Sequence, residues 1–342
     1  MNRPVRLTTD PVGTPHRVAR CCWCGASLVI AEIAELENLA AQSGKRCWVC
    51  PGCVDRQLAQ ALVVIQGKKK RLYHVPLPSQ VLFYESTVRY RLWGGKAMPG
   101  KSTGVRWWLY KRSLQIPGHE ALLLRENWDQ LRDNHTLKME LEVPLLGGRW
   151  MKEDRMAVFG AGSTQSIIHC GHMADVAALG RYIGIEYGAV VADEAALYPL
   201  TPQGAPVLAE LSTRSRREYT DREGVLHGPV FLPVTNPGGP SAAWLADMHI
   251  HHTPDFEMFP NLRPGYDDDG AQVSGYRAED WTYLPAQLEN NPYAPEDYKT
   301  TTLANLSEVR YKQLAEGDWT SFEGMFFPEW HPAVHVVEAR VC

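Results

Sequence analysis

The chain has 342 residues, 44% of them apolar and 22% charged, enough for a full-sized core with one or two small appendages. Its 35 basic and 39 acidic residues give a net charge of −4, which excludes a protein that coats itself in nucleic acid. Contacts of that kind would have to come from local patches such as Lys68-Lys69-Lys70-Arg71 or Arg214, Arg216 and Arg217. No apolar run reaches the roughly 18 residues of a membrane span, and the N-terminus lacks the apolar stretch of a signal peptide. The expected setting is a reducing cytosol, with cysteines present as thiols or ligands.

Six of the eight cysteines fall between Cys21 and Cys53. Cys21-Cys22-Trp23-Cys24 and Cys50-Pro51-Gly52-Cys53 each place two thiols three positions apart, and a tetrahedral Zn²⁺ takes four thiolates from two such turns. The expected ligands of a structural zinc are Cys21, Cys24, Cys50 and Cys53, because Cys-Pro-Gly-Cys makes a tight turn and Gly25 suits the first; Cys22 and Cys47 are rivals. This gives a zinc-ribbon-like module over residues 1–74, closed by the lysines at 68–70.

From about Leu77 to Val234 short apolar runs alternate with helical patterns, which predicts an α/β fold with a three-layer, mostly parallel sheet. Strands are expected at 89–93, 121–125, 156–159, 166–170, 189–192 and 230–234, and helices at 101–113, 128–141, 205–212 and 241–249. A loop-rich stretch covers 251–283, including Asp267-Asp268-Asp269, which read as solvated. Two helices follow at 295–306 and 308–317. His249-Ile250-His251-His252 reads as a polar edge strand and Cys170 as a small buried hydrophobe.

Gly95-Lys96-Ala97-Met98-Pro99-Gly100-Lys101-Ser102, between an apolar strand and a helical pattern, matches a phosphate loop of a P-loop NTPase. Glycines let backbone amides curl around phosphates, and the helix N-terminus adds partial positive charge. Gly95, Lys96, Gly100 and Thr103 would line the nucleotide, Lys101 would reach its outer phosphates and the Ser102 hydroxyl would bind Mg²⁺. Pro99 removes one amide from the loop. Downstream, Ala189-Val190-Val191-Ala192 runs into Asp193-Glu194, an apolar strand ending in two acids. Asp193 would hold the Mg²⁺ through water and Glu194 would deprotonate an attacking water, so ATP hydrolysis is the expected chemistry.

Several further stretches resemble the large subunit of tailed-phage terminases, from about Leu77 to the end of the chain. They are Leu77-Pro78-Ser79-Gln80, Tyr182-Ile183-Gly184, Val234-Thr235-Asn236-Pro237-Gly238-Gly239, the Asn290-Asn291-Pro292 element and Leu314-Ala315-Glu316-Gly317-Asp318-Trp319. The resemblance implies an ATP-driven motor that pumps double-stranded viral DNA into a procapsid. By that likeness Gln80 would recognise adenine, although it could also be an ordinary surface amide. Thr235 and Asn236 would sense the γ-phosphate. An arginine finger would come from Arg181 or, as a second candidate, Arg125, since Lys96 and Ile183 stand where many terminases carry arginine. The implied partners are the portal protein, the small terminase subunit and other copies of the chain in a ring, usually of five, in the host cytoplasm.

The ATPase part is expected over 75–320. Residues 321–342, with Gly324-Met325-Phe326-Phe327, resemble the run-in to a nuclease, but no carboxylate cluster follows, so no DNA cleavage is expected of these residues. Two other readings remain: a helicase-like ATPase with a zinc ribbon, and a non-catalytic zinc-ribbon DNA-binding protein with a degenerate phosphate loop.

Overall fold

The computed structural model describes residues 51–66, 69–250 and 281–321, apart from 287, 289, 290, 292 and 296, together with the backbone of 6–9, 15–20 and 27–30. The chain divides into two compact units, residues 1–85 with 289–293, and residues 86–288 with 294–342.

In the first unit, β1 (Arg6–Thr9), β2 (Pro15–Arg20) and β3 (Ser27–Ile30) form an antiparallel sheet. Helix α1 (Pro51–Ala59) and helix α2 (Pro78–Glu85) both begin at proline, whose fixed φ and missing N–H suit the first helical position. Cys53 therefore lies in the first turn of a helix, and not in a free-standing tight turn. The other three expected zinc ligands, Cys21, Cys24 and Cys50, lie outside the described residues. Between the helices β4 (Leu62–Gln66) and β5 (Lys69–His74) pair as a hairpin. The lysines at 69–70 thus belong to a strand rather than to a linker. Arg56 of α1 pairs with Glu85 of α2.

The second unit is built on an eight-stranded sheet of order β15-β6-β14-β11-β7-β10-β9-β8. Its strands are β6 (Tyr90–Gly95), β7 (Glu120–Arg125), β8 (Arg149–Met151), β9 (Met156–Phe159), β10 (Ser166–His172), β11 (Ala189–Asp193), β14 (Val230–Thr235) and β15 (Trp281–Ala286). The first six in that order run parallel, and β9 and β8 close one edge antiparallel. Strands β11, β14 and β15 are buried at every position, as expected of a parallel sheet covered on both faces. The small hairpin β12 (Tyr219–Thr220) and β13 (Leu226–His227) stands outside this sheet. The expected mostly parallel α/β sheet is what forms.

Among the differences from expectation are a strand and a helix, whereas β14 forms where a strand was expected, at 230–234. β15 falls where the sequence reads as loop up to 283; its Pro285 is tolerated because β15 is an edge strand. Pro233 sits in the middle of β14, where the recorded β14–β6 pairs skip from Phe231 to Val234. The helix expected at 295–306 is only a π-turn (Tyr298–Thr302) and a 3₁₀ turn (Leu303–Asn305). His249 ends helix α6 (Ala242–His249), fully buried with Nδ1 donating to Thr282 O at 3.0 Å, so it is no edge-strand residue. His251, His252 and Asp267–Asp269 lie outside the described residues. Cys170 is buried, as its reading required.

Helix α3 (Lys101–Gln115) packs behind the sheet. Next to it runs one long helical segment made of α4 (Trp128–Leu131), a π-turn (Arg132–Thr136) and α5 (Leu137–Leu145). Its fully buried residues Leu131, His135, Met139 and Val143 are spaced by four. In a 3.6-residue helix that spacing drifts by about 40° at each step, and the wider π-turn absorbs the drift.

Candidate active site

The C-terminal ends of the parallel strands meet at one edge of the sheet. Gly94 lies opposite Thr235 and Val234 opposite Asp193, so β6, β14 and β11 end level with one another. In open parallel sheets ligands bind outside this edge.

The loop from β6 to α3 turns on two glycines with positive φ. Gly95 has φ 121°, and a Cβ there would meet Ala286 O at 3.1 Å and Tyr283 Oη at 3.2 Å. Lys96 N–H donates to Ala286 O at 3.0 Å and Ala97 N–H to Leu314 O at 2.8 Å, so the front of the loop is braced from β15 and from a π-turn at Lys312–Glu316. Trp319 Nε1 donates to Tyr283 Oη at 3.3 Å in the same brace. At the other end, Gly100 is left-handed (φ 82°) and α3 has no side-chain cap, so its first-turn amides face the loop.

The charged groups converge behind that loop. Lys101 Nζ donates to Lys96 O at 3.0 Å and to Asn236 Oδ1. Burial pushes the Lys101 ammonium down to about 8, against the opposing pull of Glu194 and Asp193. Ser102 Oγ donates to Asp193 Oδ2 at 3.3 Å. Arg125, at the end of β7, places Nε 3.1 Å from Asp193 Oδ2 and donates from Nη2 to Glu194 Oε1 at 3.2 Å. His135 Nε2 lies 2.7 Å from Asp193 Oδ2. Burial alone would raise the Asp193 carboxyl; His135, Arg125 and Lys101 outweigh it and hold Asp193 below the usual carboxylate range. Glu194 is shifted the other way, by burial first and then by the charge of Asp193, which makes it the stronger base of the two. Its backbone is left-handed (φ 54°, ψ 43°), a conformation costing about 1–2 kcal/mol in a non-glycine residue.

The structure therefore brings together Lys101, Ser102, Asp193, Glu194 and Asn236, and sets Thr235 beside them, its hydroxyl accepting Ala196 N–H at 3.2 Å. Thr103 is exposed on α3. Gln80 belongs to the first unit, where it is buried and its side-chain oxygen accepts Leu77 N–H at 2.8 Å; it is not a surface amide. Arg181 lies in a 3₁₀ turn (Val176–Tyr182) with Nη1 3.2 Å from His172 Nε2, whereas Arg125 lies against both acids. Sequence reasoning missed His135; the buried spacing of four from Leu131 to Val143 was the one signal that could have pointed inward there.

Among the described residues no set of three or more His, Cys, Asp or Glu suits a protein-only metal cage. One hydroxyl and one carboxylate 3.3 Å apart do suit Mg²⁺, which keeps several waters and takes its remaining ligands from phosphate.

No protein-family model matches the chain, and no curated protein matches it in sequence. Among solved structures, the large terminase of a thermophilic bacteriophage in complex with ADP aligns with a TM-score of 0.50 at 14% identity, covering 71% of this chain and 53% of that one. A second crystal form of the same protein gives 0.50 at 12% identity, covering 72% and 54%. The chain thus spans about half the length of the solved terminase, 53% in the first case. At this identity the likeness establishes a shared fold.

Proposed function

We propose that this chain is an ATPase of the phage DNA-packaging type. The observation that carries the reading is the convergence of Lys101, Ser102, Asp193 and Glu194 at the sheet edge beside a braced phosphate loop. The fold it shares with a large terminase solved with ADP supports the same reading. The first-turn amides of α3 and Lys101 would bind the phosphates, and Ser102 with Asp193 would hold Mg²⁺. The ion, when bound, neutralises charge developing on the phosphate oxygens. Glu194 takes a proton from water as that water's oxygen bonds to the γ-phosphorus, while the bond to the bridging oxygen breaks and ADP departs. Asn236, already within reach of Lys101, would report the loss of the γ-phosphate to the rest of β14.

Glu194→Gln should keep nucleotide binding and lower turnover by roughly 10²–10⁴-fold. Parental turnover in that variant would sink the assignment. Arg181, exposed outside its own site, is the proposed finger for a neighbouring subunit's ATP, which implies a ring, usually of five, on the portal protein of the procapsid, with the small terminase subunit and double-stranded DNA as further partners. Turnover per chain should then rise steeply with protein concentration, and Arg181→Ala should remove that rise. The cysteines at 21, 24, 50 and 53 are proposed to bind one structural Zn²⁺; elemental analysis finding none in reduced protein would refute this.

A further inference from the structure

We propose that His135 is a positioning residue for the metal-binding carboxylate: its Nε2–H pins one oxygen of Asp193, so that the other oxygen alone serves the ion's hydration shell. Naming the ion rests on the ATPase reading; the contact does not. His135 is fully buried, and its Nε2 lies 2.7 Å from Asp193 Oδ2. An ionised carboxylate only accepts, so Nε2 must carry the proton. Nδ1 has no hydrogen-bond partner among the described residues, which suits a bare lone pair and not a second N–H.

Oδ2 is bonded by His135 Nε2 at 2.7 Å and Ser102 Oγ at 3.3 Å, and a third group, Arg125 Nε, lies 3.1 Å away as an ion-pair neighbour without hydrogen-bond geometry. A carboxylate oxygen has about two lone-pair directions, so Oδ2 is fully used and Oδ1 is what remains. The shortest of the three comes from His135.

The imidazole is itself held from the phosphate-loop helix. It sits in the π-turn, and the carbonyl of its neighbour Asn134 accepts Arg106 Nη1 at 3.0 Å. Arg106 is buried on α3, also reaches Ser102 O at 3.4 Å, and is fixed by Glu142 through Nε at 2.8 Å and Nη2 at 3.0 Å. Tyr110 Oη donates to the same carboxylate at 2.8 Å. The π-turn thus ties the helix that carries Ser102 to the strand that carries Asp193, the two residues that would share one ion. Outer-shell partners of this kind change metal affinity by about 10–100-fold when removed.

The test is Mn²⁺ affinity in the presence of ADP, read by electron paramagnetic resonance, alongside ADP affinity in EDTA. His135→Leu should weaken Mn²⁺ binding by about 10–100-fold with ADP affinity in EDTA unchanged. His135→Gln, whose side-chain amide places an N–H where Nε2 stood, should restore it to within a few-fold. Equal Mn²⁺ affinity in His135→Leu and the parent would overturn the proposal, as would equal weakening in the Gln and Leu variants. Should the Leu variant not fold, His135→Asn replaces it, since its shorter amide cannot reach Oδ2. A parent that binds Mn²⁺ and ADP but never hydrolyses ATP would refute the ATPase reading while leaving the His135 result to stand; a parent that binds no Mn²⁺ with ADP overturns both.

Discussion

At the scale of single residues, the site is a balance of two adjacent carboxylates against one buried guanidinium. Arg125 is 6% exposed and touches both Asp193 and Glu194. Arg125→Met should destabilise the fold by about 3–5 kcal/mol, the cost of stranding a buried charge, and urea unfolding would measure it. A loss below about 1 kcal/mol would mean the acids find another counter-charge. The meeting of Lys101, Ser102, Asp193 and Glu194 was readable in the sequence because it depends on spacing along one loop and on the end of one strand. Arg125 was readable only as a candidate finger, since nothing local says which acids a strand-end arginine will face. For His135 the spacing of four from Leu131 to Val143 could show only that it faces inward, not that it meets Asp193. Its role depends on the pairing of two elements 58 positions apart in the chain.

At the scale of elements, the helical segment from Trp128 to Leu145 has two unlike faces. Met139 is fully buried, with its sulfur 3.7 Å from Cys170 Sγ. Leu137, Leu141 and Leu145, spaced by four, are 48%, 73% and 55% exposed. Met139→Ala should therefore cost about 2–5 kcal/mol in a thermal or chemical melt. Leu141→Gln should change stability by no more than about 0.5 kcal/mol. The long strands and helices of the second unit were legible because apolar runs and 3.6-residue patterns are local. The π-turn was not, because its cause is the drift of a four-residue spacing. β15 was missed because Pro285 interrupts its strand pattern, and its place at the sheet edge is what makes a proline acceptable there.

At the scale of the molecule, three buried histidines set how the fold answers acid. Burial lowers His119, His135 and His249, the last to about 4 despite its bond to the Thr282 carbonyl. An unfolded histidine titrates near 6.5. Between about pH 6.5 and 4 the unfolded chain takes up a proton at His249 that the folded chain refuses, so stability falls as pH drops through that window and levels off below it. For His249 alone the loss is about 3 kcal/mol, from about 1.4 kcal/mol per unit. Urea midpoints recorded from about pH 7 to pH 4 should show it, and His249→Leu should flatten the slope by about one proton. An unchanged slope would place the acid response elsewhere. The parallel α/β class and the edge on which the site sits were legible from the alternation of elements. The strand order was not, because it depends on which strands β14 and β15 join, and both arrive late in the chain.

That lateness has a consequence for synthesis. The front of the phosphate loop is held by Ala286 and Leu314, and Gly317, left-handed at φ 75°, packs so closely that a Cβ there would meet Lys96 N at 3.3 Å. A nascent chain therefore carries the loop between β6 and α3 long before it owns the struts that shape it. On the ATPase reading proposed above, growing polypeptides would emerge from the ribosome blind to ATP, and would acquire their appetite for it only once residues beyond Trp319 had cleared the tunnel. Closure of the brace and catalytic competence would then be one event, with no half-made protein able to spend the cell's nucleotide.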